Sequence, residues 1–226
     1  VDNWVEKLIN LNFNVVIIDQ TTAPPNPKRG LREVYTPATY FNNNTLNTAN
    51  NYKSFITFIN FKIIKDKTKN INMIIGLACY NIMTGNGYFY ENYSNIKDPY
   101  LCLDEISNIL DSYPTKQFLI SITDDIQYHK MHLDDIMHYL NINMETITII
   151  NSTNEDFNSL KKKKKQKDIL STIYCLENNN QIFDELNIAL YHVACISLCF
   201  ILTFIKKHQP LLLKKLNKPI IVINNN

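Results

Sequence analysis

Residues 73–93 constrain the fold more than any other stretch. Met73 to Asn81 is a long apolar run, Met83-Thr84-Gly85-Asn86 has the chemistry of a turn, and Gly87 to Tyr93 returns as a second run. Two such runs joined by a short Gly-containing turn read as an antiparallel hairpin. An isolated hairpin is marginal in water, so the flanking chain has to supply further strands or a covering layer. On the N-terminal side, Ser54 to Ile64 alternates as a third, long strand. On the C-terminal side, helical and strand patterns take turns. Asp98-Pro99 is a good N-cap and first-turn pair, and the helix after it turns Leu103, Ile106, Ile109 and Leu110 inward. Gln117 to Ile122 reads as a strand, Ile126 to Leu140 as a helix and Thr146 to Ile150 as another strand. Asn154 to Glu177 is polar and helical in places, and Ile188 to Lys207 is a strong helix. The order β-β-β-α-β-α-β-α predicts an α/β fold built on a mixed sheet.

The first forty residues follow a different plan. Asp2 can N-cap a helix whose apolar face is Trp4, Val5, Leu8 and Leu11. Asn12 falls where such a helix takes a left-handed residue to stop. Val15 to Ile18 is short, continuous and β-branched, which predicts a buried strand. Pro24, Pro25 and Pro27 force a loop. Lys28, Arg29 and Arg32 then form a small basic cluster ahead of a strand at Glu33–Tyr35, which Pro37 ends. Phe41 to Asn51 is polar and Asn-rich and reads as a linker with a domain boundary.

Composition excludes several classes. With 45% hydrophobic residues in 226, a real core is available and disorder is not the default. The formal charge of +2 gives no whole-chain argument for nucleic acid, so only a local patch could bind it. There are only four glycines, and neither a Walker-type phosphate loop nor G-x-G-x-x-G occurs. The five cysteines, Cys79, Cys102, Cys175, Cys195 and Cys199, contain no C-x-x-C, which points to a reducing compartment without disulfides or a zinc site. The chain opens on Val within a helical pattern and closes just after an apolar stretch, so it reads as a segment of a longer protein.

The element order is that of a ribonuclease-H-like fold, which raises a metal-dependent nuclease as an alternative. That chemistry needs carboxylates converging from the first strand, a helix and the fourth strand. The first strand has none, Asn60 being its nearest polar residue, although Asp104, Glu105, Asp124 and Asp125 follow later. His132, Asp135 and His138 are spaced three apart on a helix, a spacing that drifts round the cylinder and suits solvated side chains better than a metal site. Lys161 to Lys165 with Lys167 could track phosphates, but no aromatic interleaves with them, and the run reads as a solvated loop. Ile188 to Ile205 is long enough for a membrane span. His192, Ser197 and Thr203 interrupt it and Lys206-Lys207-His208 follow it, which favours a core helix.

Particular residues resemble the MutS family of DNA mismatch-recognition ATPases. The end of that family's mismatch-binding domain carries a helix, a G-Y-K-V-A-I-C-E-Q strand, and an R-E-V followed by T-P-G-T. Here the matching residues are Lys7-Leu8-Ile9, then Asn12-Phe13-Asn14-Val15-Val16-Ile17-Ile18-Asp19-Gln20, then Arg29-Gly30, Arg32-Glu33-Val34 and Thr36-Pro37-Ala38-Thr39. The hairpin Asn81-Ile82-Met83-Thr84-Gly85 is similar to the D-x-x-T-G of the family's connector domain. Three departures stand out: Asn12 for Gly, Ala38 for the Gly of T-P-G-T, and Asn81 for Asp. The resemblance implies the last part of a mismatch-binding domain (1–44, partial α+β), a ribonuclease-H-like connector domain (45–208) and the start of the core and lever domain (209–226). It implies an intracellular repair protein whose parent binds double-stranded mismatched DNA, pairs with a second MutS-like subunit, meets downstream repair proteins and uses ATP with Mg²⁺. No catalytic or metal residue, no cofactor and no membrane contact are expected on this stretch. The family's mismatch wedge, Phe-x-Glu, belongs upstream, and Phe89-Tyr90-Glu91 imitates it by letters only. Lys28, Arg29 and Arg32 are the candidates for DNA-backbone contact, with a structural ion pair as the other role open to Arg32.

Overall fold

The computed structural model of the protein describes residues 2–37, 39–40, 55–65, 71–94, 98, 100–121, 133–151, 153–176 and 181–222. The expected linker at 41–51, and Ala38, Asp124, Asp125 and His132, lie outside them.

Helix α1 (Asp2–Asn10) ends at Asn12, whose φ of 62° is the left-handed conformation anticipated there. It leads to β1 (Val15–Gln20), which pairs antiparallel with β2 (Arg29–Tyr35) to make a two-stranded sheet. Two expectations fail in this unit. α1 buries Val5 and Ile9, while Trp4 (69% exposed), Leu8 and Leu11 face outward. Val16 and Ile18 are also exposed, so β1 is not a buried strand. The cause is geometric: successive side chains of a strand point to opposite faces, and among the described residues only one face of this hairpin is covered. β2 starts at Arg29 rather than Glu33, so Arg29 and Arg32 lie within the strand. Ile17 faces Glu33 and Ile18 faces Leu31, which leaves Arg32 as the extra residue of a β-bulge.

Among the described residues the larger sheet has six strands, in the spatial order β7 (Ile147–Ile150), β6 (Thr115–Ser121), β3 (Phe55–Lys65), β4 (Ile71–Asn81), β5 (Gly87–Tyr93) and β8 (Ile220–Ile221). β3, β4 and β5 are antiparallel neighbours. β6 runs parallel to β3, and β7 parallel to β6. The turn between β4 and β5 forms as the sequence predicts. The Asn81 side-chain oxygen accepts from the Met83 and Thr84 amides, and Gly85 takes φ 76°. Asn accepts there as Asp would.

Helices cover both faces of the sheet, and period-two alternation in the strands sorts their side chains into two cores. Phe55, Ile59 and Phe61 of β3 join Leu77 of β4 and meet α2 (Leu101–Ser112) through Leu103 and Ile106, and α3 (Leu133–Tyr139) through Ile136. Ile56 and Phe58 join Tyr80 and Phe89 and meet α7 (His192–His208) through Leu198, Phe200 and Ile201. α4 (Glu155–Ser159), α5 (Lys163–Tyr174) and α6 (Ile182–Glu185) complete that second layer. α2 starts at Leu101, where the Asp98 carboxylate accepts from the Tyr100 and Leu101 amides.

α7 begins at His192, four residues later than its apolar run, and most of its surface is buried against the sheet and α5. Among the described residues no helix is long and apolar enough to cross a membrane. The close approach of α7 to β4 depends on Gly76, because a Cβ there would lie 2.4 Å from the Val193 carbonyl carbon and 2.5 Å from the Ala194 nitrogen. The Ser197 hydroxyl donates to the Gly76 carbonyl at 2.9 Å across the same contact. After α7 a 3-10 turn (Pro210–Lys215) leads to β8 (Ile220–Ile221), a short strand parallel to β5 that the sequence reading did not anticipate.

Candidate functional site

The basic cluster sits on the small hairpin. The proline loop is closed at its base, where the Thr21 amide donates to the Lys28 carbonyl at 2.8 Å and the Lys28 amide donates to the Thr22 hydroxyl at 2.7 Å. Lys28 and Arg29 are exposed at this mouth and form no ion pair among the described residues. Arg32 differs. Its Nη1 lies 2.9 Å from the Asp19 carboxylate and its Nε 3.7 Å from that of Glu33. The hydrogen bond to Asp19, reinforced by the Glu33 charge, raises its pKa. The bulge brings the two carboxylates within reach of one guanidinium, which makes Arg32 the engaged member of the trio. Tyr35 donates to the other oxygen of Glu33 at 2.5 Å, and that bond with partial burial pushes the phenol up to about 12.

The Thr36-Pro37 close of the hairpin is a self-bonded turn. The Thr36 amide donates to the Thr39 hydroxyl at 2.8 Å, the Thr39 amide donates to the Thr36 carbonyl at 3.0 Å, and both threonines are buried. Pro37, with Asn12 and Asn14, lines a polar cavity of about 140 Å³ whose other wall is Lys116, Gln117, Glu145 and Thr146–Thr148 from the edge of the large sheet. Burial lowers the pKa of Lys116, and the side-chain oxygen of Gln117 is buried without a protein partner. A polar space of this size suits ordered water bridging the two units.

The remaining candidates separate cleanly. Phe89 is fully buried in the core and cannot wedge into anything. Glu91 reaches the start of α7, where its carboxylate accepts from the Val193 and Ala194 amides at 2.7 and 2.8 Å. It is an N-cap delivered from a strand a hundred residues away in the chain, and no local sequence signal could have found it. Of the nuclease candidates, Asp104 accepts from Tyr139, and Glu105 accepts from Tyr90 and Asn92 while burial raises its pKa. Asn60 on β3 accepts from the Ser121 hydroxyl at 2.6 Å. Asp135 and His138 lie on α3. Among the described residues no three His, Cys, Asp or Glu side chains converge to hold a metal. The lysine run is not a loop: Lys163 to Lys165 and Lys167 belong to α5, and only Lys161 and Lys162 precede it.

No protein-family model matches the chain. The chain is similar to a protein of Acanthamoeba polyphaga mimivirus named as a DNA mismatch repair mutS homologue, at 28% identity over 241 aligned positions. The alignment covers 96% of this chain and 20% of the relative, so the chain spans about a fifth of that protein's length. That similarity, over nearly the whole chain, supports a relationship to the MutS family. The MutS likeness runs through both sheets, so the hairpin and the larger α/β unit are not separate coincidences. It does not support the nuclease alternative, and among the described residues no group of carboxylates converges as that chemistry would need.

Proposed function

We propose that the chain is a segment of a DNA mismatch-repair protein, joining the closing part of a mismatch-binding domain (1–44) to a ribonuclease-H-like connector domain (45–208) that relays between bound DNA and a distant ATPase. The single observation that carries this reading is similarity to a mutS homologue over 96% of the chain. The strand order supports the connector half: three antiparallel strands, then two parallel additions on the β3 side, with helices on both faces. The relay is mechanical. α7 is fastened to the sheet by the Gly76 contact, the Ser197 bond and the Glu91 cap, so a displacement of the sheet is transmitted to whatever follows α7.

In this reading Lys28 and Arg29 contact the DNA backbone, and Arg32 holds the hairpin through Asp19 while adding its charge to the same surface. Residues 209–226 lead toward the core and lever domain. The partners are double-stranded mismatched DNA, a second MutS-like subunit and downstream repair proteins, inside the cell. ATP and Mg²⁺ are bound elsewhere in the longer protein, since this sequence has no phosphate loop. The chain performs no catalysis of its own.

Competition binding of the 226-residue chain to matched and G·T-mismatched duplexes tests the assignment. Equal affinity for the two is the expected result, because the residues that would read a mismatch are not among these elements. A strong preference for the mismatch would overturn it.

A further inference from the structure

We propose that the corner between α4 and α5, together with the C-terminal end of α7, is a second DNA-backbone surface that takes duplex without regard to sequence or mismatch. It rests on the mismatch-repair reading above but uses residues on the opposite side of the assignment, in the larger unit. Lys161 to Lys165 are all exposed, as are Lys206 and Lys207 at the end of α7. Lys207 Nζ lies 3.9 Å from the Asp156 carboxylate, which places the end of α7 beside α4. Counting Lys167, the patch gathers eight lysines against Glu155, Asp156 and Asp168, in a chain whose overall charge is only +2.

The patch is held in place. Phe157 is buried beside Phe58 and Phe200, and Leu160 and Leu170 are buried on either side of the run. Buried Gln166 ties the corner shut: its Nε2 donates to the Leu160 carbonyl at 2.7 Å, and the Cys195 thiol of α7 donates to its Oε1 at 3.4 Å. The lysines are therefore presented by a fixed corner rather than a tether. Their placement also works against the helix, since the first turn of α5 carries cations and no acid where the helix dipole favours anions. Folding alone disfavours that arrangement, and a bound polyanion would relieve it. Lysine is a mobile point charge with three donors and suits phosphate oxygens at variable positions. Contacts of these lysines to phosphate oxygens rather than base edges carry no sequence information, so the binding is insensitive to sequence.

The test titrates the 226-residue chain into a labelled matched duplex of about 30 base pairs over a range of salt. Two variants run beside it: Lys162→Gln with Lys164→Gln and Lys165→Gln, and separately Lys28→Gln with Arg29→Gln. The α5 variant should keep its circular dichroism and melt at the same temperature or slightly higher, because it removes cations from the first turn of the helix. It should lose about tenfold or more in affinity, with a salt slope shallower by about two to three, near 0.9 for each phosphate contact removed. The loss should be equal on matched and mismatched duplex. Unchanged affinity and slope in the α5 variant overturn the proposal, as does a wild-type chain that does not bind duplex. Loss confined to the hairpin variant overturns it too, while leaving the mismatch-repair reading standing. If the α5 lysines instead govern binding to phosphatidylserine vesicles or to a poly-glutamate peptide and not to duplex, the surface serves another partner and the proposal fails. A mismatch preference in the unmodified chain would signal failure of the underlying reading instead.

Discussion

The two units of this chain treat similar apolar strand segments in opposite ways. In the hairpin unit Ile18 is 61% and Leu31 67% exposed, and the buried apolar side chains of α1 reduce to Val5 and Ile9. In the larger unit every side chain from Phe55 to Phe61 is buried, on both faces of β3. β-Branched and aromatic runs make strands in both places, but burial depends on how many layers the rest of the chain supplies. β3 lies mid-sheet between helical layers, whereas among the described residues β1 pairs with one strand and packs against α1. The less buried hairpin is where local opening is expected to cost least.

The sharpest way to break this contrast is a pair of truncations. Phe58 is fully buried with its ring centroid 4.5 Å from that of Phe200. Phe58→Ala should cost about 3–5 kcal/mol in urea unfolding, and Ile18→Ala about 0.5 kcal/mol or less. Comparable losses at the two sites would show that the face of β1 is covered in solution. A smaller effect tests the joint of α7. Glu91→Ala removes the acceptor of two α7 amides and should cost about 1–2 kcal/mol, with Glu91→Gln recovering part of it because an amide oxygen still accepts. If the two substitutions cost the same, the charge rather than the hydrogen bonds holds the helix.

The smallest effect concerns pH. Burial holds His208 below its ordinary value of 6.5, against a weaker opposing contribution from the Phe204 carbonyl. The folded state thus binds this proton less readily than the unfolded chain. The associated stability is fully present above about 6.5 and declines as pH falls from there through the lower folded value. Thermal midpoints measured between about pH 7.5 and about pH 5 should fall on acidification, and His208→Gln should flatten part of that fall. An identical profile in the variant would remove His208 from the account.

Much of the architecture was legible. Alternating and continuous apolar runs located the strands of the large sheet, and Asn81 and Gly85 specified the turn that sets the register of β4 against β5. Asn12 marked the end of α1. The candidate site was less legible. Of the trio Lys28, Arg29 and Arg32, the sequence left Arg32 open to an ion pair, and only the bulge showed that its partners are Asp19 and Glu33. The lysine run looked like a loop because lysine repeats carry no apolar period. Gln166 and Leu170 were the two buried positions that commit it to a helix, and each needs α7 as a partner to count.

By itself the sequence determined what is local: which segments form strands and helices, which residue can adopt a left-handed φ, and the order of most elements along the chain. These follow from side-chain shape and from spacing within a few residues. Only the tertiary structure decided which faces are buried, that Glu91 caps a helix 102 positions away, that Gly76 is small because α7 lies on it, and that Ile220–Ile221 adds a last strand to the sheet. Each of those depends on a contact between distant parts of the chain, and its free energy exists only once both partners are in place.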